Sequence, residues 1–423
     1  MSNVGSDSMF PTTRQMCQQW DAQDPLAPVR SRFVLPDGMI YLDGNSLGPP
    51  TVDSAQALHD FATDQWAAHL IGGWRSDGWM DAPVRLGAAV AHYIGADADE
   101  VAVADSTTIN LYKMVHAALR LRPDRRVLVA ADEDFPTDTY VIDSIASQVG
   151  AVVRRCDPQS MASLDFSDVA AVVCSHVHFR TGVVNDLAGI TAAAHAGGAV
   201  AVWDLSHSAG ALAVTVNTDR VDLAVGCTYK YLNGGPGSPA YCFVARRHHA
   251  DLSQPITGWL GHADPFAFEA SYRPASGVQR LVTGTPSVAS LVALERGLAA
   301  TADVDIHQSR SKAVALTQLF IELLQGNTSA GPSNSLLSLV SPGDPHKRGN
   351  HVSFAHPNAY AIVQALIARG VIGDFRAPDV MRFGFAPAYL RFVDAFDAAT
   401  HLNEVLASNE WRHPQFQVRD AVT

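Results

Sequence analysis

Residues 199–207, AVAVWDLSH, decide how this chain is read. The run AVAVW is apolar throughout, without the alternation of a strand that has one face in water. Such a run reads as a strand buried on both faces, the kind found in parallel sheets. An acid ends it. Asp204 is therefore out of water and needs a cationic or N–H partner, or else it caps the turn that follows. His207, three residues on, is either a satisfied interior histidine or a group of a site. Open α/β sheets bind ligands outside the carboxyl ends of their strands, so the other strand ends carry the next question.

Working outward, comparable runs occur at EVAVAD (100–105), RVLVAA (126–131), AVVRRC (151–156), VAAVVCSH (169–176), DLAVGCTYK (222–230) and AYCFVARR (240–247). They alternate with helix-like segments, which predicts an α/β domain with a mostly parallel central sheet flanked by helices. After residue 285 the texture changes. Helical patterns cover TPSVASLVALERGLAAT and HQSRSKAVALTQLFIELLQG, the latter stopped by glycine. Strand-like NSLLSLV and NHVSFAHP follow, then a helix around AYAIVQALIARG, a β pair within VIGDFRAPDVMRFGF, and a last helix near 392–408. The expected division is an N-terminal segment (1–55) packing with the small domain and near the active site, a large domain (56–300), and a smaller α+β C-terminal domain (301–423).

Bulk properties narrow the function classes. With 47% hydrophobic and 17% charged residues among 423, the chain is globular rather than disordered. A net charge of −12 without a basic run argues against a general nucleic-acid binder. The five cysteines (17, 156, 174, 227, 242) are odd in number and form no C-x-x-C pair. That favours core thiols in a reducing compartment over disulfides or a zinc site. The first twenty residues lack a basic segment followed by an apolar core, and no apolar run approaches a membrane span. The expectation is a soluble cytoplasmic protein with no metal site and no nucleic-acid or membrane partner.

The strand ends supply candidate chemistry. After EVAVAD, Ser106, Thr107 and Thr108 open a helix. Helix N–H groups with hydroxyls make an anion site, most naturally for phosphate, or an ordinary cap. After RVLVAADED comes FPTDTY, where Pro136 suits a first helical turn and Phe135 stands at the mouth or in the core. Lys230 ends the run DLAVGCTY, between Tyr229 and Tyr231 and ahead of NGGPG. A lysine in apolar surroundings becomes a usable amine nucleophile. A phosphate cradle, an aromatic plate, a carboxylate for a ring nitrogen and a Schiff-base lysine are together the parts that hold pyridoxal phosphate.

The chain at this point resembles the kynureninase family, within the fold type I (aspartate-aminotransferase-like) pyridoxal-phosphate enzymes. The resemblance runs along nearly its whole length, through YLDGNSLGPP (41–50), STTINLY (106–112), FPTD (135–138), HVHFRTG (176–182), WDLSHSAGAL (203–212), GCTYKYLNGGPG (226–237), GWLGH (258–262) and MRFGFAPAY (381–389). It implies that Lys230 carries the cofactor and shuttles protons, that Asp204 pairs with the pyridine nitrogen, and that Phe135 stacks on the ring. Thr107, Thr108 and Tyr229 would contact the phosphate, with His207 and Asp138 close to the ring and Ser175 a further polar group of the site. Trp259 and Thr285 would complete the phosphate site from a second subunit, which implies a homodimer with shared active sites.

Arg382 would hold the substrate α-carboxylate, with Asn45 and Ser46 beside the substrate. Trp74, where some relatives carry histidine, would face an unsubstituted aniline ring and so favour L-kynurenine over its 3-hydroxy form. The implied reaction, in tryptophan catabolism, is hydrolysis of L-kynurenine to anthranilate and L-alanine, with Tyr229 the candidate proton donor to Cβ. The rivals are an aminotransferase, a cysteine desulfurase-like lyase, a non-catalytic ligand binder and an NAD-dependent oxidoreductase. The last lacks a G-x-G-x-x-G after the first strand, and the desulfurase lacks a cysteine after Cys242.

Overall fold

Seven strands form the central sheet: β1 (Val101–Val103), β2 (Val127–Ala131), β3 (Val152–Cys156), β4 (Val169–Ser175), β5 (Val200–Asp204), β6 (Leu223–Gly226) and β7 (Tyr241–Val244). The computed structural model describes residues 10–11, 13–326 and 336–419. Parts of two stretches read above, residues 1–9 and 12 and residues 334–335, lie outside the described residues. The sheet order is β1-β7-β6-β5-β4-β2-β3. The four neighbouring pairs from β6 to β3 are parallel, whereas β7 runs antiparallel to both β6 and β1.

The continuous apolar runs have the cause read from them. Every residue of β4 and of β5 is buried. Alternate side chains feed two cores: Val172, Cys174, Ala201 and Trp203 on one face, Ala171, Val173, Val200 and Val202 on the other. Helices cover both faces, among them α1 (Ala82–Ile94), α2 (Thr107–Leu121), α3 (Pro136–Val149), α4 (Leu187–Ala196) and α5 (Val288–Ala299). Each buried Val or Leu side chain adds about 1.5–3 kcal/mol relative to exposure.

The sheet and these helices belong to one compact unit, Asp53–Phe179 with Val184–Ala302. The other comprises the described residues of 1–52, 180–183 and 303–423. It carries α6 (Ile306–Gln325), α7 (Ala359–Ala368) and α8 (Phe392–Ser408), and a sheet of β8 (Ser338–Leu339), β9 (His351–Ala355), β10 (Asp374–Arg376) and β11 (Val380–Gly384) in the order β10-β11-β9-β8. The linear division into 1–55, 56–300 and 301–423 puts residues 180–183 in the large domain. They group with the second unit through hydrogen bonds: Ser353 Oγ to Arg180 O (2.6 Å), Ser341 Oγ to Thr181 O (2.6 Å) and Gly349 N to Gly182 O (2.7 Å).

Candidate active site

Strand register sets the first pair of polar groups. Ser175 ends β4 and Asp204 ends β5, and the two are cross-strand partners. Both lie on a cavity of about 600 Å³ in the sheet-bearing unit. The turn after β5 is held by Asp204 Oδ1, which accepts from Ser206 N at 2.7 Å, and Ser206 Oγ accepts from Cys227 N at 3.1 Å. That second bond ties the segment leading to Lys230 to the end of β5. Lys230 does not end a strand, as its sequence position suggested. β6 stops at Gly226, and Lys230 follows in a loop fixed by Thr228, whose Oγ1 bonds Ser238 Oγ (2.7 Å) and Pro239 O (2.6 Å). Gly235 and Gly237, both at positive φ, make the turn behind it.

The Lys230 amine donates to His207 Nε2 at 2.8 Å. Asp204 and Asp138 are buried and share a hydrogen bond between their carboxyls. Burial raises both above the ordinary aspartate range, and for Asp138 the neighbouring Asp204 raises it further. Two acids packed this way hold a proton between them unless a cation joins them. Tyr229 is held well above the usual phenol value by Cys227 beside it and by burial, so it stays protonated.

Helix ends complete the wall. Ser106 caps α2, accepting from Ile109 N, and Thr107 and Thr108 begin the helix on the cavity. Pro136 opens α3 just after Phe135, whose ring meets Phe179 edge-on at 5.3 Å. Thus Thr107, Thr108, Phe135, Asp138, Ser175, Asp204, His207, Tyr229, Lys230 and Thr285 are brought together on one cavity. Thr285, expected to arrive from a second chain, lines the cavity of its own. Trp259 is outside the lining, stacked edge-on with Phe266. Trp74 is also outside it; the ring packs edge-on against Trp79 at 5.7 Å.

Arg382 organises a second cluster, in the other unit. Its guanidinium is buried and bonded by Nε (2.8 Å) and Nη2 to the two oxygens of Asp374. Ser46 Oγ donates to Asp374 Oδ2 at 2.8 Å and accepts from Arg382 Nη2 at 3.1 Å. Arg376 adds a second cation to Asp374 at 2.8 Å. Burial opposes the charged form of Asp374, but its bonds to Arg382 outweigh this and leave it lowered. Asp43, close by, is pushed up to about 7 by burial and by Asp374. Asn45 is buried, with neither amide atom hydrogen-bonded among the described residues.

Sequence reasoning missed Asp134, which accepts from Ser175 N (2.8 Å) and Oγ, and the aromatic neighbour Phe179. Both stand in stretches already singled out, ADED next to FPTD and HVHFRTG. It also missed Asp374, although the hairpin register sets it directly opposite Arg382. Among the described residues no group of His, Cys, Asp and Glu is arranged to hold a metal ion, and no helix is long and apolar enough to cross a membrane.

Comparison with known proteins adds three findings. A family model described as the kynureninase C-terminal domain matches residues 309–402. Kynureninase of Pseudomonas fluorescens is 46% identical over 419 residues, covering 97% of this chain and all of that one. Among solved structures, a cysteine desulfurase from Thermococcus onnurineus NA1 superposes with a TM-score of 0.76 at 16% identity, over 90% of this chain and 98% of its own. C-DES, solved as a mutant with glycine covalently linked to its PLP cofactor, gives 0.76 at 16% identity over 89% and 98%. At such identities the two structures speak for the fold alone.

Proposed function

We propose that this chain, which belongs to the kynureninase family, hydrolyses the Cβ–Cγ bond of L-kynurenine to give anthranilate and L-alanine, with pyridoxal phosphate as cofactor. The observation that carries the reading is the buried Asp138–Asp204 pair on the same cavity as Lys230. Burial raises both carboxyls, and the nearby Lys230 ammonium does not offset it. A protonated ring nitrogen is the kind of group that would. The hydroxyls and helix-end N–H groups at 106–108 suit a phosphate, and Phe135 offers an aromatic face. The residues fit the cofactor, which when bound supplies an electrophilic aldehyde and an electron-withdrawing ring.

The chain's own groups then divide the work. Lys230 would be the attachment amine for the cofactor aldehyde and the base for the proton at the substrate α-carbon. His207, 2.8 Å from that amine, orients it. Tyr229, held protonated, is the acid available to the β-carbon after cleavage. Arg382 is assigned to the α-carboxylate from the MRFGFAP motif and from a guanidinium pre-set by Asp374. Asn45 and Ser46 are assigned beside the substrate. Trp74, outside the cavity lining of its own chain, is assigned from the family resemblance opposite an unsubstituted aniline ring, which favours L-kynurenine over its 3-hydroxy form.

A homodimer and a cytoplasmic location belong to the same reading. The exposed aromatics Trp259 (42%), Phe266 (62%) and Phe268 (83%) suit a subunit interface. The desulfurase alternative gains nothing from the chemistry. No cysteine follows Cys242, and burial raises the thiols of Cys17, Cys156, Cys174, Cys227 and Cys242, which makes them poor nucleophiles.

The test is an absorbance scan of purified protein followed by addition of L-kynurenine, with anthranilate read by fluorescence. Cofactor-loaded protein that yields no anthranilate would overturn the reading. Turnover that requires an α-keto acid would point to transamination instead.

A further inference from the structure

We infer that Lys113 is a positioning residue for the phosphate end of the cavity, because it cancels the charge of Asp105, a carboxylate on the cavity wall beside Ser106–Thr108. The inference rests on the cofactor reading above. Lys113 is fully buried on α2 and is not part of the lining, whereas Asp105 is. Its ammonium bonds the Asp105 carboxylate, Asn110 Oδ1 (3.3 Å) and Leu281 O (2.8 Å). That uses all of an ammonium's donors.

Backbone geometry explains why an acid stands there at all. Asp105 has φ +49°, a region that Asp tolerates better than most side chains. Its carbonyl accepts from Ala240 N at 2.9 Å, and Asn110 Nδ2 donates to Ala104 O at 2.7 Å. This turn delivers the first N–H groups of α2 to the cavity. The side chain that makes the turn also brings a negative charge to the place where a dianion must settle. Among the lining residues there are already Asp138 and Asp204, one lysine (Lys230) and no arginine. Without an opposite charge behind it, Asp105 would repel a phosphate. Lys113 supplies that charge from inside the protein. Through Leu281 it also fixes the start of the segment 282–287, which lines the same cavity.

The experiment titrates cofactor-free protein with pyridoxal phosphate and, separately, with pyridoxal, reading the absorbance change on binding. Lys113→Met should weaken pyridoxal phosphate about tenfold or more while changing pyridoxal little. The double variant Lys113→Met with Asp105→Asn should recover most of that loss, and Asp105→Asn alone should bind pyridoxal phosphate at least as tightly as wild type. Equal losses for both compounds, or no recovery in the double variant, would overturn the inference in favour of a merely structural pair. If Lys113→Met does not fold, Asp105→Asn still decides, since weaker pyridoxal phosphate binding there would contradict the charge argument. Wild-type protein that binds neither compound would instead bring down the cofactor reading beneath it.

Discussion

A lysine amine 2.8 Å from an imidazole, on a cavity shared with two buried acids, has only one economical use in this chain. Replacing Lys230 by Ala should lower anthranilate formation at least about a thousandfold. It should also remove the absorbance band of the bound cofactor, with the far-UV circular dichroism unchanged. Turnover that survives would sink the assignment. At the second cluster, Arg382→Lys keeps the charge but loses the planar fork that Asp374 orients. The expected outcome is a KM for L-kynurenine raised roughly 10–100-fold, with pyridoxal phosphate affinity unchanged; a KM within twofold of wild type would remove Arg382 from substrate binding. Lys230 and Asp204 were legible because an ionisable residue close behind a wholly apolar strand stands out. Their supports were not. Asp134 reaches Ser175 from 41 residues away, a proximity created only by β2 and β4 lying side by side. Asp374 could have been found, since a short hairpin ending in MRF places the two residues opposite one another.

Elements were easier to read than their ends. Each apolar run picked out in the sequence contains a strand. In β4 and β5 burial on both faces leaves an uninterrupted apolar signature, whereas β3, at the sheet edge, has no buried residue and carries Arg154 and Arg155. The end of β6 was misjudged. Hydrophobicity continues through Cys227 to Tyr231, and only the Thr228–Ser238 bond shows that the backbone has already turned. At the opposite, amino ends of the strands, Asp222 joins elements through side chains that no pattern announces. It accepts from His195 Nε2 (2.8 Å), His248 Nε2 (2.7 Å), Arg247 (2.6 Å) and Ala201 N (2.8 Å). Burial pushes its carboxyl up, yet these bonds outweigh it and leave Asp222 well below the ordinary range. A lowered native value means that the stabilisation is fully present above the unfolded aspartate value of about 4 and is lost as the pH falls below it. Asp222→Asn should therefore cost about 2–4 kcal/mol at neutral pH. In urea unfolding, its gap to wild type should narrow as the pH falls below that point. A gap that stays constant into acid would show that the carboxylate charge is not what stabilises this corner.

For the whole molecule the question is how many chains one site needs. The loop around 259–268 spends Trp259, Phe266 and Phe268 on solvent, with ring centroids 5.9 and 6.5 Å apart along the row. An apolar row of this kind on an acidic protein is costly unless a second surface covers it. If the covering surface is a second copy and Trp259 completes the partner's phosphate site, as the resemblance implies, the two sites of a dimer would each draw on both chains. Mixing two defective variants tests this without a structure of the dimer. Lys230→Ala is silent by itself, and Trp259→Ala should bind pyridoxal phosphate weakly by itself. In a mixed dimer, one site then combines both defects while the other pairs an intact Lys230 with an intact Trp259. Co-expression in equal amounts makes half the dimers mixed, so about a quarter of wild-type activity should return. Were Trp259 to serve its own chain, every site in the mixed dimer would carry one defect, and activity would stay at the average of the two variants alone. Sedimentation of wild-type protein as a monomer would exclude the shared site before any mixing was done.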